Sequence, residues 1–203
     1  LERYADVLDA YISGLEDRLA AGVRDLSDVA SVGSFFISRV DTEVDRRLEK
    51  IGTPAALALR GEAAIAQARL AYSLYREKHE GARFKRLAIY GARVQRPLWA
   101  STSTKNPAYR DTLYVDELIG HNTVNTLPDN TLEAFDDHGQ LARTIDADVP
   151  RARQVWADLA AAGVNLTDVA DQLEREGVSS FQKSFDELIT ALTTKAAVLR
   201  GDR

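Results

Sequence analysis

The chain has 203 residues, a formal net charge of −5 at pH 7, and neither cysteine nor methionine. The acidic balance leaves no electrostatic footprint for nucleic acid or an anionic membrane surface. Without cysteine there is no disulfide framework and no thiolate metal site, and no apolar run has the length of a membrane span or the pattern of a signal peptide.

Helical periods dominate. Tyr4, Val7, Leu8, Tyr11, Ile12, Leu15 and Leu19 recur at three- and four-residue steps and predict an amphipathic helix over residues 2–20, closed by Gly22. Residues 31–38 are a short apolar run in which a strand and a buried helix start both fit the pattern. Asp41 is expected to cap the next helix, with Val44, Leu48 and Ile51 facing inward. Pro54 opens an alanine-rich pattern that predicts one long helix over 54–80. Its expected buried set is Leu57, Leu59, Ile65, Ala68, Leu70, Ala71 and Leu74. A further helical piece follows from Phe84 to Gly91, ahead of a strand that Pro97 is placed to begin. Residues 111–119 read as a short helix and 122–127 as a strand. Pro128-Asp129-Asn130 turns into another helix, and helices are expected at 150–161, 167–175 and 178–199, punctuated by Gly163 and Gly177. Phe181, Phe185, Leu188, Ile189, Leu192 and Val198 lie at helical spacing in the last of these, as core or as a lid. Helices alternating with short strands predict an α/β protein with a parallel sheet. No linker, charge block or repeat divides the chain, so one domain is expected.

The most informative stretch runs from Pro97 to Pro107. Leu98, Trp99 and Ala100 form a buried stem, and Ser101-Thr102-Ser103-Thr104-Lys105 leaves the sheet as hydroxyls and a cation before Asn106-Pro107. An apolar stem with polar groups at its end suits a ligand site at the C-terminal end of a strand. An edge strand with a polar turn fits the same residues.

Three segments resemble transaldolase. Ser34-Phe35-Phe36-Ile37-Ser38-Arg39-Val40-Asp41 resembles the sixth barrel strand of that family. The stretch from Pro97, with Asn106-Pro107-Ala108-Tyr109 and Tyr114-Val115-Asp116-Glu117-Leu118, resembles the seventh strand and its loop in the longer bacterial enzymes. Asn122-Thr123-Val124-Asn125-Thr126-Leu127-Pro128 resembles the eighth strand. The likeness runs from Leu1 to about Arg200 and favours a strand at 31–38. It implies a helix-rich C-terminal part of a (β/α)8 TIM barrel with parallel strands, residues 1–203 forming a portion of one domain.

The resemblance also implies a function. Transaldolases are cofactor-free transferases of the pentose phosphate pathway. They move a dihydroxyacetone unit between ketose and aldose phosphates through a lysine Schiff base on the fourth strand. That lysine is expected to lie before Leu1, which leaves no catalytic residue in this chain and an inactive fragment when it stands alone. Substrate binding is expected at six residues, four of them by direct match to the family. Arg39 matches the phosphate-binding arginine, whose planar donor fork suits phosphate oxygens; pairing with Asp41, Glu43 or Asp45 is the structural alternative. Ser34 matches a substrate-bonding serine, and Phe36, two residues on, shares its strand face. Ser101 matches a serine near the phosphate. The family's second phosphate arginine has no clean match here; Lys105, supported by the Ser103 or the Thr104 hydroxyl, is expected to take its place, or is a solvated turn lysine.

Among the remaining lysines, Lys50, Lys78, Lys85, Lys183 and Lys195, most sit in charged helical stretches unsuited to a dry Schiff-base pocket. Asn122, Thr123 and Asn125 are read as satisfying loop backbone. His79, His121 and His138 are dispersed without His or carboxylate partners at ligand spacing, so no metal is expected. The expected partners are sugar phosphates and, as protein, a second copy or a complementary N-terminal half; nucleic acid and membrane are excluded, and the expected location is cytoplasmic. Two alternatives remain: a non-catalytic half-barrel interaction or assembly module with open sheet edges, and a helical protein unrelated to barrels.

Overall fold

The computed structural model describes residues 1–200, which fall into two compact units, Leu1–Val164 and a second beginning at Asn165. The first unit runs α1 (Glu2–Ala20), β1 (Ser31–Phe36), α2 (Ser38–Ile51), α3 (Pro54–Leu57), α4 (Ala63–Glu80), α5 (Ala82–Ala88), β2 (Gln95–Ala100), α6 (Leu113–Asp116), β3 (Val124–Asn125), α7 (Asp129–His138) and α8 (Val149–Ala161). The second unit is a single helix, α9 (Leu166–Arg200).

The three strands pair in the order β1-β2-β3, all parallel. Ser34 lies opposite Leu98, Phe36 opposite Ala100, and Leu98 opposite Val124. Alternation along β1 and β2 separates two faces. Gly33, Gln95, Pro97 and Trp99 are buried on one face, whereas Val32, Ser34, Phe36 and Arg96 are exposed on the other. Phe35, on the covered face, links Tyr4 of α1 to Trp99 through two edge-to-face contacts with centroids 5.3 and 6.0 Å apart. The Trp99 indole N–H donates to the Leu118 carbonyl.

Helix α1 buries Tyr4, Leu8, Ile12 and Leu15, as its period predicts. Ile12 and Leu15 join Leu26, Phe84 and Leu87 in one apolar cluster. Several expectations need correction. The pattern over 54–80 is two helices, α3 and α4, separated by a turn in which Gly61 has φ +78°. Helix α4 packs against α1, α2, α5 and α8. Its buried face is therefore made of small residues, Ala63, Ala64, Ala66, Ala68 and Ala71, followed by Tyr72, Tyr75 and His79. The larger Ile65, Leu70 and Leu74 are only half-buried, as is Leu59, and Leu57 is exposed. Val44 and Leu48 face inward on α2 but Ile51 is exposed.

Strand β2 starts at Gln95, so Pro97 is its third residue, opposite Gly33, rather than its first. The strand expected at 122–127 is only Val124–Asn125, and the helix expected at 111–119 is the single turn Leu113–Asp116. Gly163 follows the end of α8, but Gly177 lies inside α9, which is continuous where two helices were expected. The apolar positions of α9 expected in a core or lid are exposed, from 46% at Ile189 to 72% at Val198.

Candidate functional site

The polar groups singled out in the sequence gather at the C-terminal ends of β1 and β2. After Phe36 the ladder continues for two more rungs: the Ile37 amide donates to the Ala100 carbonyl at 2.9 Å and the Ser38 amide to the Ser101 carbonyl at 3.0 Å. Ser38 then opens α2. Its N-cap residue, Ile37, offers no capping oxygen. The uncompensated dipole at such a helix start favours an anion.

Arg39 stands in this first turn with its guanidinium carbon 5.0 Å from the centroid of the Phe36 ring. Ring and cation attract at that distance, and the ring limits where the donor fork can point. Arg39 makes none of the ion pairs with α2 carboxylates considered above: Glu43 takes Arg46 and Arg47 instead. Ser34 shares the open face with Phe36.

On the β2 side, Ser101 has φ +57° and its hydroxyl is 2.8 Å from that of Ser38. Thr102 is buried and donates to both the Asn125 amide oxygen and the Thr126 carbonyl. Asn125 in turn donates to the Tyr114 carbonyl, the loop-satisfying role expected of it. Lys105 is exposed and its ammonium donates to the Ser103 hydroxyl at 2.7 Å. The structure thus joins Arg39 to Phe36, Ser101 to Ser38, and Lys105 to Ser103, on neighbouring parallel strand ends.

Behind this end lies a set of residues to which sequence reasoning assigned other roles or none. Asp41 is not the cap of its own helix; it lies inside α2, 1% exposed. One oxygen accepts the Ala64 amide at 2.7 Å, capping α4, and the other accepts the Tyr114 hydroxyl at 2.6 Å. One turn on, Asp45 accepts the Gly61 amide at 2.9 Å and the Tyr109 hydroxyl at 2.5 Å. Burial pushes the Asp41 carboxyl up to about 6, against the lowering effect of the Tyr114 and Ala64 hydrogen bonds. Burial also raises Asp45. Both phenols are held well above their ordinary value, by burial first and by the carboxylate beside each. The available signal was two carboxylates four residues apart on the buried face of an amphipathic helix.

The histidines are structural or peripheral. His79 is buried; its Nδ1 faces the Tyr75 carbonyl and its Nε2 accepts the Gln95 amide, with burial lowering its pKa. His138, expected to lack carboxylate partners, meets Asp111 at 2.9 Å and Asp137 at 3.0 Å on the surface. No lysine of the six is buried.

These features define a helix-rich α/β protein with three parallel strands, of which β1 and β2 are each followed by hydroxyls and a cation. The profile of the Transaldolase/Fructose-6-phosphate aldolase family matches residues 1–192, and the chain belongs to that family. It is 58% identical over 193 residues to a transaldolase of Parafrankia sp. (strain EAN1pec), covering 95% of this chain and 52% of that protein. It is 56% identical over 190 residues to the transaldolase of Frankia alni, covering 93% and 51%. Against the transaldolase of Mycolicibacterium smegmatis it is 55% identical over 192 residues, covering 94% and 52%. The chain spans about half the length of the curated relatives it matches. Among the described residues no helix is long and apolar enough to cross a membrane.

Proposed function

We propose that residues 1–203 are the C-terminal portion of a single (β/α)8 barrel domain and supply the phosphate-holding side of a cytoplasmic transaldolase. The family match over nearly the whole chain carries this reading. In it, Arg39 receives the sugar phosphate at the start of α2, with Lys105 and Ser103 as the second cationic arm. Ser101 adds a hydroxyl, and Ser34 and Phe36 line the sugar on the open sheet face. The reaction is transfer of a dihydroxyacetone unit from a ketose phosphate to an aldose phosphate through a lysine Schiff base. On this reading the covalent lysine lies outside this chain; a Schiff-base amine needs a lowered pKa in a dry pocket, and the partial solvation of all six lysines here supports the reading. Held substrate without that electron sink does not turn over.

Borohydride reduction in the presence of fructose 6-phosphate, read by intact mass, tests the assignment. No adduct is expected on this chain, and one is expected on the Mycolicibacterium smegmatis transaldolase treated in parallel. A stable adduct on one of the six lysines would return the covalent chemistry to this chain and overturn the reading. The bare sheet face, with Val32 and Phe36 about 40% exposed, favours a second reading as a non-catalytic assembly module, for which sugar-phosphate binding would be absent altogether.

A further inference from the structure

The segment after β2 has two anchors and little between them. Thr102 is tied to Asn125 and Thr126 at one end. Tyr109 is tied to Asp45 at the other, and Tyr114 to Asp41 a turn beyond. Residues 103–108, which include Ser103 and Lys105, have no helix or strand of their own.

The socket for Tyr109 is built from three elements. Asp45 of α2 accepts the phenol with one oxygen and the Gly61 amide with the other. Gly61 lies in the α3–α4 turn, and a Cβ there would stand 2.9 Å from the Tyr109 ring. A side chain at position 61 would therefore occupy the place of the ring. The same helix carries Arg39, six residues before Asp45, so one rigid element presents the first cation and anchors the loop that bears the second.

We infer that Asp45 and Asp41 are positioning residues that, through Tyr109 and Tyr114, hold the segment after β2 in place and thereby set Ser103 and Lys105 beside the Arg39 phosphate site. The inference rests on the reading of Arg39, Ser103 and Lys105 as phosphate ligands. Charge-assisted hydrogen bonds are the stronger class. Two carboxylates kept in a buried helix face, each dividing its oxygens between a backbone amide and a phenol, fix a loop more firmly than neutral contacts would. A loop freed at its far anchor samples many conformations, and the competent fraction sets the apparent affinity.

The test uses Tyr109→Phe and Asp45→Asn in this chain, with Tyr72→Phe as the control, since the Tyr72 hydroxyl donates to the His121 carbonyl away from the loop. Three quantities are read: amide exchange of Ala108 and Tyr109, whose N–H groups donate to the Asn106 side chain and carbonyl, the dissociation constants of inorganic phosphate and fructose 6-phosphate, and the unfolding midpoint. Both loop variants are expected to exchange at positions 108 and 109 about tenfold faster and to bind phosphate at least about fivefold more weakly. The control is expected to do neither, even where its midpoint falls as far. Unchanged exchange at positions 108 and 109 in both variants overturns the anchor. Faster exchange with unchanged phosphate affinity overturns the positioning role. Failure of the unsubstituted chain to bind either ligand overturns the phosphate reading itself, and the positioning role with it.

Discussion

Asp41 shows what one buried charge does to this chain. Its ordinary value of 3.8 is raised by burial to about 6, so the folded state binds the proton more tightly than the unfolded state. Its contribution to stability is fully present below pH 3.8 and is lost as the pH rises through about 6. Removing the titration with Asp41→Asn should expose that dependence by difference. Between pH 7.5 and pH 4.5 the unfolding free energy of the unsubstituted chain should gain about 2 kcal/mol on that of the variant, from the linkage relation applied to this shift. Urea titrations at the two pH values measure it, and a constant difference would show that the carboxyl does not titrate in this window. Arg39 sits at the other extreme, half-exposed and stacked on Phe36. Hydrogen bonds to a charged group are worth about 1.5–3 kcal/mol. Arg39→Ala should therefore weaken fructose 6-phosphate binding by roughly 10- to 100-fold while moving the urea midpoint little, and calorimetric titration reads the first.

Among the elements, the turn between α3 and α4 separates what the sequence made legible from what it hid. The run at β1 fits a strand and a buried helix start alike, and only the resemblance favours a strand, but the apolar period of α1, the inward Val44 and Leu48 of α2, the apolar run of β2 and the helix at α8 follow from spacing alone. The break within 54–80 does not, because tertiary bonds hold it: Asp45 receives the Gly61 amide and Asp41 the Ala64 amide, across 16 and 23 residues. Leucines at helical spacing pointed to the wrong face of α4, since four surrounding helices leave room mainly for alanines. Arg39 and Ser101 could be singled out through a resemblance and Lys105 through the strand-end pattern, and the fold sets all three in the segments that follow β1 and β2. Asp45 and Tyr109 could not, since their meeting depends on the fold.

Two glycines give opposite predictions at this scale. Gly14 is exposed in α1 and nothing lies within 4 Å of an added Cβ, so Gly14→Ala should stabilise by about 0.5–1 kcal/mol. Gly61, at φ +78° and against Tyr109, should lose about 1–2 kcal/mol from backbone strain alone on Gly61→Ala, with more lost as the ring is displaced. Denaturant unfolding distinguishes the two signs.

For the molecule as a whole, the sheet poses an unbalanced burial problem. One face is covered by helices through Phe35, Pro97 and Trp99, while Val32, Ser34 and Phe36 stand exposed on the other. Parallel sheets are normally covered on both faces, and the outer ladder groups of β1 and β3 are templates for further strands. A partner that adds strands beside β1 and fills the open face would bury Val32, Phe36 and Leu98 together, at about 25 cal/mol per Å² of apolar surface removed from water. It would also place its own groups opposite Arg39 and Ser34. The chain spans about half the length of its relatives, and on the proposed reading as a C-terminal portion the N-terminal half of the Mycolicibacterium smegmatis transaldolase is the piece to supply. Mixing the two pieces should give a complex in sedimentation velocity and transaldolase turnover that neither piece shows alone. Phe36→Asp, which puts a charge on the face to be covered, should abolish both, because an unpaired buried carboxylate opposes closure. A complex that forms without turnover would assign the chain to assembly rather than catalysis, and turnover by this chain alone would remove the need for a partner.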